Sequence, residues 1–230
     1  MMKANSPAWR ISKHFLIAVA VTLGMLAPRL PLDAIGIPHL VLILQGLPTT
    51  VLIVLVAVEP AVEAKRYRWG IVAAFVFSQI GGYLLGRGLF VSGVLGFLIA
   101  NIAYLTALTT GVRFGQRLVP FAVLGLCGGT VLALAWSKIP SSHIVPVCLY
   151  AMAIVSVPAQ AIARGLVLRT TGATMAAVGT TLLLISDSAI AIERFYAGFW
   201  WAGIFIMATY FAGQWLIATS VGQAEQVNAQ

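Results

Sequence analysis

Apolar residues run along this chain in eight blocks, each near the ~20 residues a helix needs to cross ~30 Å of hydrocarbon. The blocks cover residues 14–28, 37–58, 69–86, 89–110, 117–136, 143–163, 172–192 and 198–219. Short connections between them hold turn and boundary residues, such as Pro28 to Pro31, Glu59-Pro60, Gly111 to Gly115 and Pro140-Ser141-Ser142. No linker or water-soluble domain interrupts the series. The pattern therefore predicts an all-α integral membrane protein, an eight-transmembrane-helix bundle in one domain over 1–220, with a polar tail at 221–230.

The first block follows Lys3, Arg10 and Lys13 and is short, which is also how a signal peptide begins. A cut after Ala27 would leave Pro28 next in line, a poor arrangement for signal peptidase, so the block reads as a retained first helix. Lysine and arginine then set the orientation. The N-terminal segment, Lys65, Arg66 and Arg68, Arg113 and Arg117, and Arg164 and Arg169 fall on one side. Arg29, Arg87, Lys138 and Arg194 fall on the other. The more basic side faces the cytoplasm by the positive-inside rule, which places both termini inside (N-in/C-in).

Composition agrees with the pattern. The 230 residues are 60% hydrophobic and 9% charged, where soluble domains carry roughly 25% charged residues. A net charge of +8 is compatible with nucleic-acid binding. Here the basic residues sit between apolar blocks instead of gathering on one surface, so the chain is read as having no nucleic-acid partner. Cys127 and Cys148 fall in separate apolar blocks and read as small hydrophobes, without a disulfide. The expected location is a bacterial inner (cytoplasmic) membrane.

Charge inside the blocks is rare and costly, about 2.5 to 3.5 kcal/mol per residue on insertion scales. Asp187 is the clear case. From Gly172 it lies fifteen residues along the seventh helix, or ~22 Å at 1.5 Å per residue, in the outer third of the bilayer. Arg194 follows nearly two turns later and ~20° off the same face. That geometry allows an Asp–Arg pair, a Ser186-Asp187 tie between helices, or an arginine snorkelling to a lipid phosphate. Gln45, Gln79, Asn101, Tyr104, Tyr150, Gln160, Tyr210 and Gln214 are the other polar residues on or near helices, and each taken singly reads as interhelical glue. Gly82-x-x-x-Gly86 and Gly125-x-x-x-Gly129 offer small faces for close helix approach, within the bundle or in a homo-oligomer. His39 and His143, on the same side as Asp33 and Asp187, lack ligand spacing, so neither a metal nor a cofactor is expected.

Four stretches carry a resemblance to a known family. LLLISDSAIAIERF, Leu182 to Phe195, resembles the Ser-Asp signature of lysoplasmalogenase (YhhN-type) membrane proteins. YFAGQWLIA, from Tyr210, is similar to the closing Tyr-Tyr-x-x-Gln-x-Leu-Ile run of that family. GFLIANIAYL, from Gly96, resembles its fourth helix, and YAMAIVSVPAQAIAR, from Tyr150, falls at its sixth. The resemblance spans most of residues 40–219. It implies hydrolysis of the vinyl ether bond of lysoplasmalogens, giving a fatty aldehyde and a glycerophospho-headgroup, with a lysophospholipid or another membrane lipid as partner. Asp187 becomes the expected acid/base, with Asn101, Tyr104, Tyr210 and Gln214 holding substrate and Arg194 meeting its phosphate.

The chain departs from the family pattern at three places. Gly81-Gly82 stands where the family has Gly-Asp, Asn101 where it has histidine, and Leu47 where a lysine commonly precedes the proline. Losing one of two cooperating groups commonly costs orders of magnitude in rate. Two readings follow, an ether hydrolase working with one carboxyl group, or a non-catalytic member that binds lysolipids without turning them over or serves a structural role.

Overall fold

The computed structural model describes residues 7–26, 39–59, 65–196 and 198–223. Eight α-helices follow one another: α1 (Pro7–Leu26), α2 (His39–Val58), α3 (Lys65–Gly86), α4 (Phe90–Leu108), α5 (Val119–Ala135), α6 (Ile144–Leu168), α7 (Thr171–Phe195) and α8 (Ala202–Val221). Among the described residues there is no strand. Seven helices, α2 to α8, are long and apolar enough to cross a membrane. In α1 the described apolar stretch is Leu16–Met25. The helices make this an integral membrane protein.

Several helices extend past their apolar blocks. The α6 helix continues to Leu168, where Arg169 closes it in the left-handed conformation at φ 54°. One residue later the Thr170 side chain accepts the Ala173 N–H at 3.2 Å and starts α7. That helix runs on to Phe195, beyond the apolar block, because Glu193 and Arg194 are exposed and cost little at its end. Asp33 and the His39 side chain lie outside the described residues.

The most extensive pairings are α3 with α4 and α7 with α8, followed by α6 with α7 and α4. Lipid tails are as apolar as leucine, so helix pairs gain mainly by close packing of small residues. A Cβ on Gly96 would sit 2.8 Å from the Gly81 Cα, and one on Gly179 would sit 2.7 Å from the Gly213 carbonyl oxygen. These two crossings bring backbone against backbone. The sequence pointed to different glycines. Of the four glycines it named, only Gly86 is tightly packed, a Cβ there standing 2.6 Å from the Leu42 side chain of α2; Gly82 has the Phe97 ring tip at 3.9 Å, and Gly125 and Gly129 have nothing among the described residues within 4 Å. Gly125 and Gly129 have the right spacing, but α5 turns that face away from the described helices.

The α5 helix is the outlying element. It packs on α6 and more lightly on α7, and of its residues only Pro120 and Ala135 are buried. A large apolar core fills the other part of the bundle, built from Leu52, Tyr67, Phe75, Leu108, Val157 and Ile217. Contacts fix which helix ends lie together. Phe90 of α4 stacks with His143 and Phe195, which gathers the start of α6 and the end of α7. At the opposite end Arg66 bonds Thr109, Arg164 bonds the Thr110 carbonyl, and Gly172 meets Ser220. The basic residues of α3, the α4–α5 turn and the end of α6 therefore share one end of the bundle, away from Asp187.

Candidate functional site

Polar side chains from six helices converge between Asp187 and the bundle centre. Tyr150 of α6 donates its hydroxyl to Asp187 Oδ2 at 2.5 Å, a short, well-directed bond. Asn101 of α4 lies beside the Tyr150 hydroxyl. Its Nδ2 donates to the Phe97 carbonyl at 2.8 Å, which leaves the amide oxygen available to the site. From α8, Tyr210 adjoins Asp187, Thr49 and Ser78, and Gln214 lies one turn further on. Thr49 of α2, next to the buried Pro48, donates to Gln214 Oε1 at 2.7 Å.

Two donors in this cluster are left over. The Gln214 amide nitrogen and the Tyr104 hydroxyl are buried and have no hydrogen-bond partner among the described residues. Ser78 stands beside Tyr104, but not in hydrogen-bonding geometry. Each buried orphan donor costs about 1–3 kcal/mol unless a further group meets it. A cluster with two of them is suited to an oxygen-rich ligand or to water.

On its other side, Asp187 lines an apolar pocket between α5, α6 and α7. Of the fifteen lining residues only Tyr150, Asp187 and Ser188 have polar side chains. Val131 and Leu132 of α5, Ile154 and Val155 of α6, and Leu184 and Phe195 of α7 supply much of the wall. The Asp187–Tyr150 pair thus stands at a boundary, with hydrocarbon surfaces on one side and hydrogen-bonding groups on the other. The pair is held from behind by Ser186, fully buried, which donates to the Ile206 carbonyl at 3.0 Å and ties α7 to α8.

Five of the six residues singled out in the sequence come together here: Asp187, Asn101, Tyr104, Tyr210 and Gln214. Arg194 does not join them. Its guanidinium lies over the Phe90 ring at 4.4 Å, at the end of the bundle, and forms no pair with Asp187. Two turns of helix separate the residues along α7, and the cation turns outward onto an aromatic face instead. Tyr150 had the signal of a polar residue on an apolar helix but no sign of its partner 37 residues away. Thr49 and Ser78 had no signal, since hydroxyls on helices usually bond their own backbone. Position 82, one turn after Ser78 on α3, has room for a side chain.

No solved structure matches this chain. A family model matches residues 40–221, from α2 to the end of α8, and so takes in every helix that contributes to the cluster. With most of its length matched, the chain belongs to the YhhN family.

Proposed function

We propose that the protein hydrolyses the vinyl ether bond of single-chain alkenyl glycerophospholipids. One observation carries the reading: Asp187 stands where an apolar pocket meets a hydrogen-bonding cluster. In such a lipid the vinyl ether is the junction between the aliphatic chain and the glycerophospho-headgroup. Chain in the α5–α6–α7 pocket and glycerol oxygens toward Tyr104 and Gln214 would bring that bond to Asp187.

The chemistry needs one proton donor that later becomes a base. The Asp187 carboxyl gives its proton to the alkene carbon away from the ether oxygen, and the π electrons form the new C–H bond. The oxocarbenium ion left behind is stabilised by the resulting carboxylate. Water adds to the carbon bearing oxygen, and its proton returns to Asp187. The hemiacetal then breaks its C–O bond, giving a fatty aldehyde and a free glycerol hydroxyl. A single carboxyl serves both steps in turn, so glycine at position 82 does not rule the reaction out. Tyr150 holds the carboxyl in place. The Tyr150→Phe variant keeps the ring against Phe97 and loses the hydroxyl that meets Asp187 and lies beside Asn101, so aldehyde release should fall roughly tenfold.

The same reading places the pocket toward the outer leaflet of a cytoplasmic membrane, with both termini inside. The gathering of basic residues at the end opposite Asp187 supports it. A second reading, a member that binds lysolipids without hydrolysing them, is favoured by Gly82 and Asn101 at positions where the family resemblance expects a carboxyl and a histidine. Purified protein mixed with alkenyl- and acyl-lysophospholipids separates the two. Aldehyde from the alkenyl lipid supports hydrolysis, whereas binding with no aldehyde supports the second reading.

A further inference from the structure

The end of the bundle away from Asp187 carries a groove that the proposed reaction does not use. Its lining is Arg66 of α3 and Thr109, Gly111, Val112, Arg113 and Gln116 of the turn after α4, with no carboxylate among them. The groove is open and about 590 Å³ in volume, ample for a phosphoryl headgroup. Arginines at this end also orient the chain in the membrane, but that role requires only charge, not a fixed position.

Here the turn is locked. Gln160 is fully buried and spends its side-chain amide on this turn. Its Nε2 donates to the Leu108 and Arg113 carbonyls at 3.4 and 3.3 Å, and its Oε1 accepts the Gly115 N–H at 3.1 Å. Arg164, 2% exposed, donates from Nε to the Thr110 carbonyl at 3.3 Å and stacks over the Tyr67 ring. Gly111 and Gly115 take φ of +78° and +69°, which admit the sharp reversals between these anchors. Arg113 N–H donates to Gln116 Oε1, and Arg66 reaches across to Thr109 Oγ1. The locked turn thereby holds the backbone of Arg113 beside Arg66, and both arginines line one preorganised concavity.

We propose that this groove binds a phosphoryl group, presented by an anionic lipid of the adjoining leaflet or as a free anion. Guanidinium forks match phosphoryl oxygens two at a time, and the groove offers no competing carboxylate. The site lies at the other end of the helices from Asp187, and its occupancy is independent of the proposed hydrolysis.

The test uses the full chain in phosphatidylcholine nanodiscs containing phosphatidylglycerol, with retained lipid counted by native mass spectrometry. Wild type should retain phosphatidylglycerol preferentially, and Arg66→Gln/Arg113→Gln should lower that preference roughly tenfold. The charge-matched Lys65→Gln/Arg169→Gln variant, at the same end but outside the groove, should keep it. Inorganic phosphate titrated without phosphatidylglycerol identifies the source. Binding of phosphate with no lipid preference, lost in the Arg66/Arg113 variant, assigns a free anion. The proposal is overturned if that variant retains lipid and phosphate as wild type does, or if the charge-matched variant loses as much.

Discussion

Asp187→Asn should release fatty aldehyde from alkenyl-lysophospholipids about 10²–10⁴ times more slowly than wild type, the usual contribution of a positioned proton donor. The substitution is nearly isosteric. Asparagine still offers an oxygen to the Tyr150 hydroxyl, so the α6–α7 contact survives and the protein should elute and melt as wild type does. What is lost is a proton that can be given to carbon and a carboxylate that can take one back from water. Nothing else in the cluster supplies that pair of properties: tyrosine, asparagine and glutamine hold and orient, but do not exchange protons readily near neutrality. A time course of aldehyde against protein concentration, run beside size-exclusion profiles, checks both halves of the expectation. Full activity in Asp187→Asn would remove this residue from the reaction.

Gly179→Val should have the largest effect on the fold. A Cβ at 179 would stand 2.7 Å from the Gly213 carbonyl oxygen and 2.8 Å from Ile217 Cγ1. The first neighbour is backbone and cannot rotate aside, so α7 and α8 must separate. Overpacking of this kind costs about 1–3 kcal/mol and more where backbone has to move. The displaced interface is the one that sets Tyr210 beside Asp187 and carries Gln214 into the cluster, so binding should fail along with stability. Gly129→Val is the control, because nothing among the described residues lies within 4 Å of its added Cβ. Thermal unfolding in detergent should show a large drop for the first and almost none for the second. Equal losses would mean that the α7–α8 crossing is not the tight one.

The contrast between those two glycines shows where sequence reading stopped. Apolar blocks near the length of a bilayer crossing gave the helices, because that length is imposed by the membrane and needs no partner to be visible. Which face of a helix meets a neighbour is another matter. Gly125 and Gly129 have the spacing of a packing face, yet no described helix lies against it, while Gly179 and Gly213 meet across two helices without any shared local pattern. Asp187 was legible for the opposite reason. A carboxyl in an apolar helix is costly enough to stand out alone, and the family resemblance drew Asn101, Tyr104, Tyr210 and Gln214 to it. Tyr150, its hydrogen-bond donor, was one polar residue among eight until the fold set α6 against α7. Arg194 fell on the helical face of Asp187, but two turns of rise and the ring of Phe90 took it elsewhere.

The central claim is that Asp187 delivers a proton to the vinyl ether carbon at the edge of the apolar pocket. Hydrolysis of an alkenyl-lysophospholipid in heavy water, with the aldehyde trapped as it forms and weighed, tests this most directly. Wild type should yield aldehyde bearing a single deuterium on the carbon next to the carbonyl, and Asp187→Asn should yield almost none. Gly82→Asp, run alongside, should restore no activity to the Asp187→Asn background if Asp187 is the donor. Aldehyde formed at an undiminished rate by Asp187→Asn, or none formed by wild type, would contradict the account.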